Sequence, residues 1–485
     1  MSTVRNRAGQ VPEVSPDAVA GLARQVRGAV LEPHEEEYQA HSAPYNLVAA
    51  HRPDLIVVPS GADDIQKAVG FAATYGLPVG VQATGHGPAA SSSGGLLVST
   101  RKMNAVTIDP LARTAWTEAG AQWHQVIAAA APHGLAPLNG SSPNVGVVGY
   151  TLGGGLGPMA RTYGYAADRV NLIEVVTADA QRRVATPVDE PDLFWALRGG
   201  KGNFGVVSAM EFGLVPVDRL YGGGLFFPGE FAATALHSWR EWTGHVPAEM
   251  TSSLALLRLP DAPGIPEPLR NRLTVHIRIA YVGTAADGER LVRPLRDMAP
   301  PMMDSVGDMP YTAVGNIHND PVDPMAYHED SIMLRELNGA AAERLLTLAG
   351  PGADTASAVV EVRQLGGAAA RMPDPPNAVG HRDAAFVLAT ITPTAAFHDG
   401  PADGPDDGSD TDGHGGRPES LLDRMAQWGT GLKYVNFLAG PDAAAGVRLA
   451  YDTATHARLT SIKSRYDPHN MFRHNLNIHP AGGHD

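Results

Sequence analysis

A histidine set between two glycines is the first place in this chain where chemistry could be done. Gln82-Ala83-Thr84-Gly85-His86-Gly87 follows the apolar run Leu77-Pro78-Val79-Gly80-Val81, which reads as a short buried strand. Gly85 and Gly87 carry no Cβ, so main chain can approach a ligand closely, and successive N–H groups in such a turn can cradle an anion such as a pyrophosphate. A neutral imidazole placed there is a competent nucleophile near pH 7. On this hexapeptide alone, a histidine that merely decorates a surface turn fits equally. Further along, Gly140-Ser141-Ser142-Pro143-Asn144-Val145-Gly146 opens the densest glycine region of the chain, which runs through Gly149, Tyr150, Gly153, Gly154 and Gly155 to Gly157. A third such stretch, Arg198–Val207, holds Lys201, Asn203 and Gly205. Near the C-terminus, Tyr434-Val435-Asn436 offers a phenol and an amide that would share one face of a strand, with Lys433 pointing the other way. A phenol with a pKa ordinarily near 10 ionises near neutrality only with help from a cation or from hydrogen bonds to its phenolate. The plainer alternative is a strand tyrosine whose hydroxyl is satisfied by packing neighbours.

These groups need elements to hold them. Leu55-Ile56-Val57-Val58 is a compact strand ended by Pro59, and Ser60 with Asp63 makes a capping box. Ile65, Ala68, Val69 and Ala72 keep the spacing of one helix face, and Gly76 stops it. Strand, helix and second strand form one βαβ unit that delivers the His86 loop at a strand's C-terminal end, where open α/β sheets bind ligands. Short strands follow near Leu96–Ser99, Ala105–Ile108 and Thr114–Glu118, then a helix over Gln122–Ala131. Val170–Thr177 and Arg183–Ala185 read as a hairpin. A further helix is expected around Ala443–Arg465. Gly155-Leu156-Gly157-Pro158-Met159-Ala160 fits a dinucleotide fingerprint, but Pro158 and Gly164 oppose the long helix it should open, and Glu174 falls in mid-strand.

Composition bounds the rest. The chain has 485 residues, 44% of them hydrophobic and 18% charged, a globular balance with room for about two to four domains. A net charge of −14 and the lack of a basic stripe argue against a nucleic-acid partner. With no cysteine, disulfides, thiolate metal sites and thiol nucleophiles are excluded, and no metal site is expected. No apolar run is long enough to span a bilayer and none resembles a signal peptide, so no membrane is expected and a cytoplasmic location is. The stretch 399–418 is acidic and glycine-rich, cannot bury anything, and is expected to be disordered and dispensable.

Taken together, the segments resemble the FAD-linked oxidases of the vanillyl-alcohol oxidase superfamily, with their PCMH-type FAD-binding domain, in the berberine-bridge-enzyme-like branch. The matching pieces are Asp64–Val69, Thr84–Gly87, Glu118–Trp123, Val145-Gly146 with Gly153–Gly155, Tyr163-Gly164 with Ala167-Asp168, Asp192–Gly200 with Asn203–Val207, Tyr434–Asn436, and Tyr466–Pro468 with Asn470–Phe472. The resemblance implies an α+β fold. In it a two-part FAD-binding α/β domain, residues 1–213 and 430–485, flanks an inserted substrate domain of antiparallel sheet and helices, residues 214–429. It implies FAD bonded through His86 to the flavin 8α-methyl carbon, which is electrophilic in a tautomer of the oxidised ring. Ser142 stands where many members carry a second-link cysteine, so a single link is expected. Cofactor contacts are expected from Ala83, Thr84, Gly85, Gly87, Ser142, Val145, Gly146, Gly149, Tyr150, Gly153, Gly154, Gly155, Asn203, Gly205, Val207 and Asn475. For Tyr150, packing alone stays open as a second reading, and Asn477 joins Asn475 near the ring end. Lys201 and Ala180 occupy places where glycine is common in the family, and His381-Arg382 resembles a position at the pocket edge. The implied catalytic pair is Tyr434, as base, and Asn436. Val145 is the position where a small residue goes with oxygen access. The expected activity is hydride transfer from a small-molecule alcohol, hemiacetal or amine to FAD with O2 as acceptor, in natural-product tailoring. A dehydrogenase using another acceptor, and a non-redox cyclase or ligand-binding flavoprotein, are the alternatives.

Overall fold

The computed structural model describes residues 14–49, 51–87, 92–394, 419–440 and 443–482; the acidic stretch 399–418 lies outside them. Three large sheets carry the architecture. In the first the strand order is Ala29–Leu31, Leu55–Val58, Leu96–Ser99, Val79–Gln82, with parallel pairing except at Ala29–Leu31. Leu55–Val58 and Leu96–Ser99 are buried along their whole length, which is why they read as unbroken apolar runs. The helix Ala62–Tyr75 sets Ile65, Ala68, Val69 and Ala72 into the core and ends at Gly76 in a left-handed conformation. Its start differs from the expected Ser60–Asp63 box. Gly61 is the N-cap, and it is the buried Asp64 that accepts from the Ser60 N–H and hydroxyl and from the N–H groups of Arg27 and Gly28. Burial opposes ionisation there, but these four donors win and hold the carboxyl at about 2.

The second sheet is antiparallel throughout, in the order Arg182–Ala185, Val170–Val176, Val206–Gly213, Thr114–Glu118, Val106–Asp109. It contains the expected hairpin and places Glu174 in mid-strand. The dinucleotide-like run opens only the four-residue helix Ala160–Tyr163, too short for a Rossmann phosphate site.

The third and largest sheet is also antiparallel. Its main path runs Met303–Asp304, Arg219–Pro228, Arg272–Tyr281, Met250–Leu259, Val359–Gln364, Phe386–Pro393, Tyr327–Leu334. Alternation decides its two faces. Leu254, Leu256, Ile277 and Val362 join Leu236, Trp239, Leu295 and Leu345 of the covering helices in one apolar core. The opposite phase carries Ser253, Arg278, Glu361 and Arg363, which turn toward the glycine-rich side of the molecule.

The tail returns to the first two sheets. The helix expected over 443–465 is interrupted: Ala443–Gly446 passes into a tight turn, Val447–Ala450, before Thr453–Tyr466 begins at the Asp452 N-cap. Buried Lys463 and Asp467 pair at 2.6 Å. Asp467 also accepts from the N–H groups of Met471 and Phe472, while Lys463 donates to the Asn203 carbonyl, so this motif clamps the tail onto the Asn203 turn. Among the described residues no helix is long and apolar enough to cross a membrane, and no group of acidic or histidine side chains is placed to hold a metal ion.

Candidate active site

The two glycine-rich loops meet. A Cβ on Gly146 would lie 3.5 Å from that of Ala83 and 3.6 Å from Thr84 Oγ1. His86 is fixed on three sides. Its Nδ1 is 2.8 Å from Thr84 Oγ1, its ring stacks on Tyr45 at 3.9 Å, and its carbonyl accepts from Tyr327 Oη at 3.2 Å. Among the described residues its Nε2 is buried with no partner. Burial lowers the imidazole pKa to about 4, so the ring is neutral at pH 7.

Tyr434 does not lie in a strand. Its N–H donates to Ser331 Oγ, and its carbonyl accepts from Phe437 N–H, closing the single turn Val435–Phe437. A side-chain hydroxyl has replaced the neighbouring strand that would have kept the segment extended. Tyr434 and Asn436 converge all the same, because both reach the Gly153–Gly154 turn. A Cβ on Gly153 would sit 2.0 Å from Asn436 Oδ1, and one on Gly154 would sit 3.4 Å from Tyr434 Oη, with Gly154 at a φ of 105°. At Gly153 only the missing Cβ leaves room for Asn436, and at Gly154 the backbone conformation itself requires glycine.

The Tyr434 hydroxyl is buried without a well-formed hydrogen bond. Burial raises its pKa well above 10, and the nearby Tyr165 and Tyr150 add to this; the Asn436 amide and the Gly155 N–H favour the phenolate only slightly. Lys433 is committed to Asp330 at 2.5 Å. The cation that does reach this turn is Lys201, which donates to Asn436 Oδ1, while Asn436 Nδ2 donates to the Tyr150 carbonyl at 2.9 Å. Both ends of the Asn436 amide are therefore occupied. Burial lowers the Lys201 pKa to about 8. Lys201 and Ala180 both adopt left-handed backbone, φ 60° and 57°, which is the physical reason glycine suits these positions.

The remaining expected contacts divide. Among the described residues nothing fills the space a Cβ would take at Gly87 or Gly149, and His474 Nε2, Asn475 Oδ1 and Asn477 Oδ1 are buried without partners, with His474 packed on Gly80 and the Asn475 amide donating to the Gly202 carbonyl. Val145 is half-buried and its carbonyl accepts from Trp123 N–H. Ser142 is buried, its hydroxyl 3.4 Å from the Asn144 N–H. Tyr150 packs edge-on against Trp123 at 5.6 Å, with its hydroxyl buried and unpartnered. Asn203, by contrast, uses its amide on the Gly200 and Leu476 carbonyls and the Ile478 N–H. Gly205 packs on Val175 and Val176, and Val207 is in the core. His381-Arg382 is tied up structurally, on the Ala450 carbonyl and on Asp168 at 2.6 Å.

The sequence reading missed the strand Tyr327–Leu334. Tyr327, Glu329 and Ser331 alternate along it, and they touch, in turn, the His86 carbonyl, the surroundings of Lys201, and the Tyr434 backbone. The alternation was a usable signal; what it faced was not. Burial raises the Glu329 carboxyl to about 8.

A neutral, precisely held imidazole, buried polar atoms lacking partners, and glycine turns open toward them fit a planar cofactor of the flavin type. The comparisons with known proteins agree. Residues 53–185 match the FAD binding domain family and residues 433–479 the berberine and berberine-like family. An (R)-6-hydroxynicotine oxidase of Paenarthrobacter nicotinovorans is 28% identical over 94% of this chain and 98% of its own. The crystal structure of 6-hydroxy-D-nicotine oxidase from Arthrobacter nicotinovorans superposes with a TM-score of 0.76 at 25% identity, covering 93% of this chain and 98% of that one. A xylooligosaccharide oxidase from Myceliophthora thermophila, solved with xylobiose, shares the fold with a TM-score of 0.78 at 22% identity, over 96% of this chain and 100% of its own. The chain is an FAD-dependent oxidoreductase and belongs to the berberine-bridge-enzyme-like family of PCMH-type FAD-linked oxidases.

Proposed function

We propose that this oxidase dehydrogenates an alcohol, hemiacetal or amine of a small molecule, holds FAD by one covalent bond through His86, and passes electrons to O2. The observation that carries the reading is that one strand holds both chemical residues. Tyr327 supports the His86 carbonyl and Ser331 brackets the Tyr434 backbone, four residues or about 13 Å along the strand. FAD, when bound, supplies the two-electron acceptor. His86 contributes a neutral ring whose Nδ1 is engaged by Thr84, leaving Nε2 as the nitrogen available to the cofactor. As the phenolate, Tyr434 would accept the proton of the substrate hydroxyl or amine at its Oη. Burial keeps it a neutral phenol in the free cleft, so its activation belongs to the loaded site, where Asn436 and the Gly155 N–H lie closest to the phenolate. Lys201 braces Asn436 in that position. Val145 keeps an approach for O2 open on the turn beside Gly146.

The division into 1–213, 214–429 and 430–485 belongs to the same proposal. A place in natural-product tailoring is supported by the alanine- and glycine-rich composition alone. The test is anaerobic reduction of the purified holoenzyme followed by mixing with air-saturated buffer. Reoxidation within seconds supports the oxidase. Slow reoxidation, with fast turnover on an artificial dye, would replace it with a dehydrogenase that uses another acceptor.

A further inference from the structure

The polar face of the large sheet gathers two buried guanidinium groups around one carboxylate. Ser253, Arg278 and Arg363 stand in register across three strands, and Ala255, His276 and Glu361 form the next row on the same face. Glu361 is shared. Its Oε1 accepts from Arg278 at 2.5 Å and from the Ser253 hydroxyl at 2.7 Å, and its Oε2 lies 2.9 Å from Arg363. One carboxylate thus serves two guanidinium groups whose side chains are only 7% and 17% exposed. Arg363 Nε and both ring nitrogens of His318 are buried without hydrogen-bond partners, His318 Nε2 being 3.8 Å from Glu361. Burial keeps His276 and His318 neutral, Asp320 adds a negative charge that acts on Arg363, and Glu329 and Lys201 are the other titratable groups nearby. A buried guanidinium N–H without a partner is unfavourable unless an acceptor completes it.

A small cavity of about 30 Å³ lies against these groups, lined by Gly157, Thr251, Arg278, His318, Arg363 and Gln364 among others. Packed rings connect its Arg363 wall to the proposed chemistry. The Arg363 guanidinium sits 4.8 Å over the Phe437 ring, and that ring meets Tyr434 edge-on at 4.9 Å. We infer that the substrate carries a carboxylate, which docks on Arg363 and Arg278 with His318 as a further hydrogen-bonding group and orients the oxidised end toward Tyr434. The planar fork of a guanidinium suits a carboxylate better than it suits a neutral hydroxyl. The inference names the substrate class for the oxidase proposed above and rests on that reading.

The probe is benzoate, with benzamide as its neutral counterpart, titrated into the purified holoenzyme and followed by the visible flavin spectrum and by calorimetry. Benzoate is expected to bind at least about tenfold tighter than benzamide. Arg363→Gln should remove that preference while leaving flavin content and benzamide affinity unchanged. Arg363→Lys, which keeps the charge and loses the fork, should fall between the two and guards against a misfolded glutamine variant. Equal binding of the two probes, or a benzoate preference that survives Arg363→Gln, overturns the inference. The two readings fail separately. A flavin-loaded enzyme that turns over neutral alcohols with no benzoate preference keeps the oxidase and loses the anion site. Calorimetric benzoate binding through Arg363 in a protein that lacks flavin keeps the anion site and loses the oxidase.

Discussion

On the loop side of the cleft, neither 82–87 nor 140–157 contains an aspartate, glutamate, lysine or arginine, and the imidazole between them is held neutral. Its polar surface is largely main chain, made accessible by glycine. On the sheet side, Arg278, Glu361 and Arg363 press three charges into a face with little exposure. The contrast follows from what each side has to do. A backbone cradle suits a partner of fixed shape, because main chain cannot change its chemistry and the approach is set by the missing Cβ atoms. Long charged side chains on a rigid sheet suit discrimination, because a single substitution there changes charge without moving the scaffold. Cofactor retention should therefore respond to the loops, and substrate preference to the sheet.

The largest expected effect lies on the loop side. His86→Ala should remove the whole covalent FAD increment from the intact mass of denatured protein, because no cysteine exists to make a second link and Ser142 is too weakly acidic to replace one. An increment that persists would show attachment elsewhere. Noncovalent FAD should still bind, since the cradle is otherwise unchanged.

Next comes the residue between the two sides. Tyr434→Phe should slow flavin reduction by substrate at least about 100-fold, the scale of a lost general base. Its hydroxyl has no well-formed partner, so the thermal midpoint should hold or rise slightly. A clear loss of stability with little change in rate would make Tyr434 a packing residue.

Val145→Leu sharpens the comparison within the loop side itself. A longer side chain beside Gly146 should slow reoxidation about tenfold, or about 1.4 kcal/mol of barrier, with anaerobic reduction little changed. If reoxidation stays fast, oxygen enters by another path.

The difference between the two sides also decides how much the sequence disclosed. The His86 loop, the Gly153–Gly155 turn and the Tyr434–Asn436 pair are local patterns, and their backbone demands are written in adjacent residues. Lys201 and Ala180 were visible as departures from glycine for the same reason. The charged face was not visible, because Ser253, Arg278 and Glu361, each more than twenty positions from the next, become neighbours only when three strands pair in register. Tyr434 was misread as a strand residue because the Ser331 hydroxyl that ends its extended run lies a hundred positions away. The Asp64 anchor was taken for an ordinary capping box because Arg27 and Gly28 reach it from outside the unit.

The smallest expected effect is on stability, and it separates the buried histidines from Glu329 by sign. Burial lowers His474, beside the loops, to about 4, and takes His276 and His318 well below the usual range. As pH falls from about 6.5, the unfolded chain binds protons that these folded histidines refuse, so stability that is complete above 6.5 is lost toward pH 4. Glu329, on the sheet, works the other way. Its folded pKa is raised from 4.5 to about 8, so the folded state keeps a proton the unfolded chain has released. Its contribution is present below 4.5 and is lost as pH rises to 8. Lys201, lowered to about 8, opposes this only above that pH. Thermal midpoints of the holoenzyme should therefore pass through a maximum near pH 6.5. Glu329→Gln should flatten the decline between pH 6.5 and 8 and leave the acid side as it was, while His318→Gln should shrink the acid side alone. An alkaline decline that is unchanged in Glu329→Gln would mean that Glu329 reaches solvent well enough to ionise near its ordinary pKa.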